Sequence, residues 1–268
     1  MQFRRKIFMH EVRPKKFLGQ HFLKDHNIAR KIVGALSDAT ENDTILEIGP
    51  GTGVLTTYLA QQENRNLVLI EIDRESIAYL KKIYPTNQIK IIEGDFLKLD
   101  LSDITQDDIS IIGNFPYNIS SQIFFRIIDQ RNQIKEVVCM IQKEVADRIC
   151  SPHGNKIYGI LTVLIGAYYD TTMLFKVSPG VFIPPPKVDS AVIRLTRKPN
   201  PIVDYDEVLF KKIVKQGFQN RRKTLRNALK PIFLPADLTT DNIFDKRAEQ
   251  LSVDDFIKLT KKIQEWKM

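Results

Sequence analysis

The feature that most constrains the fold is a regular alternation of short apolar runs and helical stretches between residues 44 and 114. Four runs rich in Val, Ile and Leu are "TILEIG" (44–49), "NLVLIEI" (66–72), "IKIIEG" (89–94) and "ISIIGN" (109–114). Nearly continuous hydrophobicity is typical of strands that are buried on both faces of a parallel sheet. The stretches "GVLTTYLAQQ" and "RESIAYLKKIY" between them have helical spacing. The sequence therefore predicts an α/β fold with a doubly wound, Rossmann-like sheet.

The rest of the chain predicts an extension of the sheet and a small second domain. Further strands are expected at "EVVCMIQ" (136–142), "TTMLFKV" and "AVIRLTR", with helices at "KEVADRI" and "GILTVLIGAYY" (159–169). We interpret "KPNP" (198–201) as a linker. Three helices are expected after it, near 205–216, 222–230 and 252–265. We thus expect a first domain at residues 1–200, which begins with a basic segment at 1–16, and an all-α C-terminal domain at 201–268.

The positive charge of the chain is concentrated in two places. The net charge is +8, and residues 208–230 contain eight Lys and Arg without a single Asp or Glu, while residues 1–16 contain six cations against Glu11. Such clusters favour binding to a polyanion, and nucleic acid is the expected partner. The apolar runs are shorter than the roughly 18 residues that a membrane span needs. With two cysteines and no metal-ligand spacing, we expect a cytoplasmic monomer without a disulfide framework, a metal or a membrane contact.

Polar residues and glycines follow each of the first four predicted strands. Gly49 and Gly51 come after the first strand, Glu71 ends the second, Asp95 follows the third and Asn114 ends the fourth. Alone, each has an ordinary explanation as a tight turn or a surface charge. In an open parallel sheet, however, ligands bind outside the carboxyl ends of the strands. Together these residues predict a site for an adenosine-containing cofactor, which could be a nicotinamide dinucleotide or S-adenosylmethionine.

The motif "NFPY" at residues 114–117 favours S-adenosylmethionine. A nucleobase amine is a poor nucleophile because its lone pair is delocalised into the ring, and acceptors outside the ring plane can localise that lone pair. The Asn114 side-chain oxygen and the Phe115 carbonyl would be these acceptors, and Pro116 would stiffen the turn that carries them. Tyr117 offers a ring on which a base can stack. The alternative is an Asx-type turn after a strand, but such a turn does not require a tyrosine.

The sequence resembles the ribosomal RNA adenine N6,N6-dimethyltransferases from about residue 13 to the C-terminus. The motifs that match, in order, are "FLGQHFL" (17–23), "EIGPGTG", "GDF", "NFPYNIS", "VFIPPPKVDSAVIRL" (181–195), "QNRRKTLRNAL" and "RAEQLSVDDF" (247–256). The resemblance implies a class I methyltransferase fold, S-adenosylmethionine as cofactor and the small ribosomal subunit as partner. The proline-rich motif and "RRKTLRNAL" are similar to the branch that dimethylates two adjacent adenines near the 3′ end of small-subunit (16S) rRNA.

The resemblance also implies roles for individual residues. Those expected to contact the cofactor are His21, Leu23, Gly49, Gly51, Glu71, Asp95, Phe96 and Asn114. Phe182 would pack on the target base opposite Tyr117, although a phenylalanine before a proline run is otherwise most simply a core residue. The cations expected to bind rRNA are Arg221, Arg222, Lys223 and Arg226. The sequence departs from the family at His21, where Asn is usual, and at Phe115, where Leu is commoner.

Other functions fit parts of the pattern. A large-subunit (23S) rRNA methyltransferase of the antibiotic-resistance type, or a DNA adenine methyltransferase, would use the same chemistry on another nucleotide. A non-catalytic RNA-binding assembly factor would not need an intact glycine turn and Asn114, which are both present. A nicotinamide oxidoreductase would not need the "NFPY" turn.

Overall fold

The computed structural model describes residues 12–37, 43–62, 65–84, 89–199, 204–235 and 238–267. Most of the predicted N-terminal basic segment, and residues 200 and 201 of the predicted linker, lie outside these ranges. The chain divides into two compact units, Met1–Lys143 with Met173–Leu195 and Glu144–Thr172 with Thr196–Met268. Residues 144–172 therefore group with the C-terminal residues in this division. The predicted domain boundary between residues 200 and 201 stays a prediction.

The regular elements are numbered in chain order. The strands are Phe22–Leu23 (β1), Asp43–Ile48 (β2), Arg65–Glu71 (β3), Lys90–Glu93 (β4), Ile109–Asn114 (β5), Ile134–Gln142 (β6), Tyr169–Val177 (β7), Phe182–Ile183 (β8) and Ser190–Arg197 (β9). The α-helices are His26–Val33 (α1), Thr56–Leu59 (α2), Arg74–Ile83 (α3), Ser120–Asp129 (α4), Lys143–Ile149 (α5), Ile160–Gly166 (α6), Glu207–Gln219 (α7), Leu225–Ala228 (α8) and Val253–Lys267 (α9).

The main sheet of the described residues has seven strands in the order β4-β3-β2-β5-β6-β9-β7. Strand β2 pairs in parallel with both β3 and β5, β3 with β4, and β5 with β6. The chain thus winds outward from β2 in both directions, and β2 lies at the point where the winding reverses. This arrangement confirms the predicted α/β, Rossmann-like fold, and such a reversal point is where open α/β sheets bind ligands.

The apolar runs became strands because both faces of the sheet are covered. Every residue of β2 after Asp43 is buried, and so are the first five residues of β5. Helices α1 and α4 were not among the predicted elements. Both turn a buried stripe toward the core, with Ala29 and Ile32 on α1 and Ile123 and Ile127 on α4 fully buried. Helix α2 is shorter than predicted because turns occupy residues 51–55 after the glycine loop.

The second unit has its own apolar core. Helix α7 packs against α6, α8 and α9. Phe218 of α7 stacks on Phe256 of α9 with ring centroids 5.9 Å apart. The predicted helix at 222–230 is confirmed only as the short α8, because residues 220–223 form a turn. Within the described ranges, no helix combines the length and the hydrophobicity needed to cross a bilayer.

Candidate active site

A cavity of about 260 Å³ lies in the first unit at the carboxyl ends of the parallel strands. Gly49 follows β2 in its wall, Glu71 ends β3, Asp95 follows β4 and Asn114 ends β5. The structure therefore brings together the four strand ends that the sequence singled out. They meet because parallel strands present the same end at one edge of the sheet.

The glycine loop after β2 uses backbone conformations that favour glycine. Gly49 has φ 64° and Gly51 has φ 56°, both in the left-handed region. A Cβ on Gly49 would meet no atom within 4 Å, whereas one on Gly51 would lie 2.7 Å from Cε1 of Phe22. Gly49 thus leaves open space beside the cavity. Gly51 allows the Phe22 ring to pack directly on the backbone.

Glu71 organises the loop through its carboxylate. One oxygen accepts the backbone N–H of Gly51 at 3.0 Å, and the other accepts the N–H groups of Ile72 and Asp73 at 2.9 Å each. Burial raises the pKa of Glu71, against the smaller opposing effect of these three hydrogen bonds. The predicted ribose ligand is therefore also the group that fixes the glycine loop to β3.

The loop after β4 is fixed by its own first residue. The Asp95 carboxylate accepts the backbone N–H of Leu97 at 3.0 Å and so caps a short 3-10 turn at Phe96–Lys98. The Phe96 ring is buried, and both Asp95 and Phe96 line the cavity. One carboxylate oxygen of this cavity-lining residue therefore accepts the capping hydrogen bond.

A segment before β1 is clamped to the edge of the cavity. The Lys15 ammonium donates to Asp73 at 2.5 Å, and the Gln20 side-chain amide donates to the same carboxylate at 3.4 Å. The Gln20 side-chain oxygen in turn accepts the backbone N–H of Lys15 at 2.8 Å. Burial works against ionisation of Asp73, but the bonds from Lys15, Gln20 and Ser76 lower its pKa overall. Asp73 therefore holds the N-terminal segment beside Glu71.

Asn114 is held by one end of its side-chain amide only. Its Nδ2 donates to the His21 carbonyl at 2.8 Å. A carbonyl can only accept, so this bond fixes which end of the amide is the nitrogen. The remaining Oδ1 is buried and has no hydrogen-bond partner among the described residues. The side chain of His21 is fixed by the same logic, because its Nδ1 lies 2.8 Å from the Pro184 carbonyl and must donate to it.

The aromatic ring of Tyr117 is held on two sides. Its hydroxyl is hydrogen-bonded to the side chain of Ser190, which is fully buried in β9. The His21 imidazole stacks on the ring, with centroids 5.3 Å apart and planes 30° apart. Burial raises the pKa of the Tyr117 hydroxyl, against the smaller effect of the bond to Ser190. Nothing in the sequence pattern pointed to Ser190, since a serine at the start of a strand is ordinary.

The backbone before Tyr117 is anchored in the core. The Phe115 ring is 1% exposed and meets Phe124 of α4 edge-on at 6.0 Å. The Phe115 N–H donates to the Met140 carbonyl of β6 at 3.0 Å. Pro116 follows and lines the cavity. The buried Phe115 ring and its backbone hydrogen bond therefore hold the "NFPY" turn at the edge of the cavity.

Two predicted site residues are not brought to the cavity. Strands β1 and β8 pair antiparallel, with Phe22 opposite Ile183 and Leu23 opposite Phe182. Successive side chains of a strand point to opposite faces, so Phe22 lines the cavity while Leu23 and Phe182 share the other face. Leu23 is 4% exposed and Phe182 is 1% exposed, and both belong to the hydrophobic core. The predicted contacts of Leu23 with cofactor and of Phe182 with the base are therefore not supported by this geometry.

The second unit divides the predicted RNA-binding cations into two kinds. The set comprises Arg221, Arg222, Lys223 and Arg226. The Arg221 guanidinium donates to the Tyr158 carbonyl at 2.5 Å, and Arg226 is paired with the Asp245 carboxylate at 2.5 Å. Arg222 and Lys223, in the turn between α7 and α8, are exposed. Arg221 and Arg226 are therefore held by contacts within the second unit, whereas Arg222 and Lys223 present charge to solvent.

The sequence from residue 11 to 265 matches the family described as "Ribosomal RNA adenine dimethylase". The chain belongs to this family. It is 53% identical over 252 residues to the "Ribosomal RNA small subunit methyltransferase A" of Cytophaga hutchinsonii, a match that covers 94% of this chain and 98% of that protein. It is 54% identical over 257 residues to the protein of the same name from Flavobacterium johnsoniae, covering 96% and 98%. The predicted family membership is thus confirmed.

Solved structures confirm the class I methyltransferase fold. A dimethyladenosine transferase from Plasmodium falciparum superposes with a TM-score of 0.80 at 28% identity, covering 92% of this chain and 99% of that one. The 23S rRNA methyltransferase ErmE shares the fold alone, with a TM-score of 0.66 at 22% identity and coverage of 91% and 99%. The family uses S-adenosylmethionine, and the chain is an S-adenosylmethionine-dependent methyltransferase of rRNA. The sequence of the glycine loop was also compatible with a nicotinamide dinucleotide as cofactor, and family membership excludes that alternative.

Proposed function

We propose that this enzyme transfers methyl groups from S-adenosylmethionine to N6 of two adjacent adenines near the 3′ end of small-subunit rRNA, giving dimethyladenosines. One observation carries the chemistry, namely the buried Oδ1 of Asn114 without a hydrogen-bond partner. A buried acceptor left unpaired costs about 1–3 kcal/mol, so its presence at a cavity favours a partner that arrives with the substrate. The exocyclic amine of adenine is a donor of the right kind.

The residues of the cavity fit the cofactor. When bound, S-adenosylmethionine supplies a methyl group on a positively charged sulfur. We propose that the open backbone beside Gly49 and the loop at Gly51 receive its amino-acid end. Glu71 would accept hydrogen bonds from the ribose, and Asp95 and Phe96 would flank the adenine ring. Phe22, which lines the cavity, takes the place that the sequence had suggested for Leu23.

The "NFPY" turn would prepare the attacking amine. Asn114 Oδ1 and the Phe115 carbonyl accept its two N–H groups, which localises the nitrogen lone pair outside the ring plane. Pro116 limits the movement of this turn. The base stacks on the face of Tyr117 that His21 does not cover. The nitrogen becomes more acidic once it has formed its new bond to carbon, so its proton can leave to water without a carboxylate base.

The second unit would hold the rRNA through its phosphates. Arg222 and Lys223 are exposed and are suited to contacts that position RNA without reading its sequence. Arg221 and Arg226 would act indirectly, through the contacts that hold them within the second unit. Selection of the base is then left to the cavity, which requires the target adenine to leave its stack. The enzyme would act as a monomer, and its ribosomal substrate implies the cytoplasm.

The test compares Asn114→Ala with the wild type and with Asn27→Ala, an exposed asparagine on α1. Transfer of labelled methyl groups to undermethylated small subunits is measured, and primer extension maps the modified nucleotides. Loss of a preorganised polar group costs about 100- to 1,000-fold in rate in comparable sites. We expect Asn114→Ala to lose at least about 100-fold in kcat, while Asn27→Ala keeps wild-type activity and both proteins unfold at the same urea concentration as the wild type.

Each outcome decides between the candidate functions. Near-normal transfer by Asn114→Ala would contradict the mechanism. Wild-type methylation of large-subunit rRNA alone would favour the resistance-type activity. Binding of small subunits by the wild type without any transfer would favour an assembly factor.

A further inference from the structure

Phe17 is an exposed aromatic residue at the rim of the active-site cavity. Its side chain is 77% exposed, although the residue lines the same cavity as Asn114 and Tyr117. A single exposed apolar residue is ordinary on a protein surface. Its position at the entrance, the rigidity of its backbone and the charges beside it distinguish this one.

The backbone around Phe17 is held in place. Phe17 is the central residue of a 3-10 turn at Lys16–Leu18, which Gly19 closes with φ 65° and an N–H bond to the Lys16 carbonyl at 3.0 Å. A side chain on Gly19 would overlap Asn118. The Asn118 amide also donates to the Phe17 carbonyl at 3.4 Å. Together with the Lys15 clamp to Asp73, these contacts present the ring to solvent at low cost in conformational entropy.

The surroundings of Phe17 suit a nucleic acid. Arg13 and Lys16, which precede it in the chain, are exposed cations. Proteins bind single-stranded nucleic acid with cations that contact its phosphate backbone and with exposed aromatic rings on which its bases stack. This works for any sequence because every base has a face that can stack. A base that leaves its helix to enter the cavity also leaves its neighbour with one uncovered face. That neighbour lies at the entrance, where Phe17 is.

We propose that Phe17 stacks on the unpaired nucleotide adjacent to the adenine that occupies the cavity. This inference rests on the proposed function and adds to it a second base contact outside the pocket. The ring replaces the stacking partner that the neighbour loses when the target swings out, and Arg13 and Lys16 contact nearby phosphates. Phe17 is thus a substrate-binding residue for rRNA and makes no contact with the cofactor.

The experiment uses three variants of the full chain. Phe17→Leu keeps an apolar side chain but removes the aromatic face, and Phe17→Trp keeps that face. Phe233→Leu is the matched control, because Phe233 is a comparably exposed phenylalanine, at 86%, in the second unit. Steady-state methyl transfer is measured with varied small subunits at saturating S-adenosylmethionine, and then with the concentrations reversed.

We expect Phe17→Leu to lower kcat/KM for small subunits about 5- to 150-fold, which corresponds to a stacking contribution of ~1–3 kcal/mol. The KM for S-adenosylmethionine should stay unchanged, and Phe17→Trp should restore most of the loss. Phe233→Leu should behave as the wild type. A Phe17→Trp chain that also carries Trp266→Phe should lose fluorescence when a short single-stranded oligoadenylate is added.

The possible failures are distinguishable. If the wild type does not methylate small subunits, the proposed function fails. If it does, but Phe17→Leu retains wild-type kcat/KM or loses no more than Phe233→Leu, this inference alone is overturned. A rise in the KM for S-adenosylmethionine would instead make Phe17 a cover for the cofactor and would also overturn it.

Discussion

The buried carboxyl group of Glu47, in the strand that precedes the glycine loop, should make the free energy of unfolding depend on pH. The residue is 1% exposed in β2, and its carboxylate accepts the Thr56 hydroxyl at 2.7 Å. Burial raises the pKa of Glu47 from its ordinary 4.5 to about 8, with a smaller upward effect from the charge of Glu71 and a downward effect from Thr56. At neutral pH the folded protein therefore holds a proton here that the unfolded chain has lost.

This difference makes the folded state less stable as the pH rises. A group with a raised folded-state pKa contributes fully below its unfolded pKa, and the contribution declines as the pH approaches the folded pKa. Between pH 4.5 and about 8, the contribution of Glu47 to the free energy of unfolding falls by about 5 kcal/mol in total, at about 1.36 kcal/mol per pH unit. About 3 kcal/mol of this contribution has been lost by about pH 7. Glu47→Gln keeps a neutral group of the same shape that can still accept from Thr56. We expect this variant to be more stable than the wild type at about pH 8 by several kcal/mol.

The assay is urea denaturation of the wild type and Glu47→Gln at a series of pH values from about 5 to about 8.5. The difference in the free energy of unfolding between the two proteins isolates Glu47, because every other titrating group is common to both. It should grow from about pH 5 and level off as the pH passes the folded pKa of about 8. A second variant, Thr56→Val, removes the hydrogen bond that lowers the pKa of Glu47 and should extend the decline to higher pH at the same slope. Parallel curves for wild type and Glu47→Gln would refute the reasoning.

Three further predictions concern the site. Gly51→Ala should weaken S-adenosylmethionine binding, measured by calorimetry, because it adds ~1–2 kcal/mol of backbone strain and a steric clash with Phe22. Gly154→Ala is the control, since Gly154 has φ 89° but a Cβ there would meet no atom within 4 Å. This control should add backbone strain alone and bind the cofactor normally. Ser190→Ala should lower the free energy of unfolding by about 1–3 kcal/mol, because it leaves the Tyr117 hydroxyl unpaired. Adding Tyr117→Phe should recover part of this lost stability. Additive losses in this double-mutant cycle would contradict the contact between the two side chains. Arg222→Ala should weaken small-subunit binding at every salt concentration tested and reduce the salt slope by about 1 without changing thermal stability.

The sequence predicted what depends on local pattern. The apolar runs gave the four strands at 44–114, and the glycines and polar residues after them lie at the cavity as expected. These features follow from periodicity and from the rule that parallel strands present their ends together. The contacts that hold the site were beyond such rules because they join distant segments. Asn114 bonds to a carbonyl 93 residues away, and Tyr117 to a serine 73 residues away.

The positions where prediction and structure differ have a common physical cause. The sequence "HFL" does not reveal which side chain of the two-residue strand β1 faces the cavity. A shift of one residue in the pairing of this strand would place Leu23 at the cavity instead of Phe22. The register with β8 decides this, and it also places Phe182 in the core. Likewise, the basic run around residue 222 does not show that Arg226 is neutralised by Asp245, since that carboxylate lies 19 residues further along the chain.

The bond between His21 and Pro184 has a consequence for the order in which the enzyme is made. The two residues are 163 positions apart, and a ribosome adds about 5–20 residues per second, so roughly 8–33 s of translation separate them. By the end of this interval the glycine loop and the first four parallel strands of the sheet, which lie between residues 43 and 114, have been synthesised. The imidazole that stacks on Tyr117 would still lack its second anchor. The wall of the catalytic pocket that carries His21 is therefore completed only after residue 184 has been added, well after the strands that support the glycine loop.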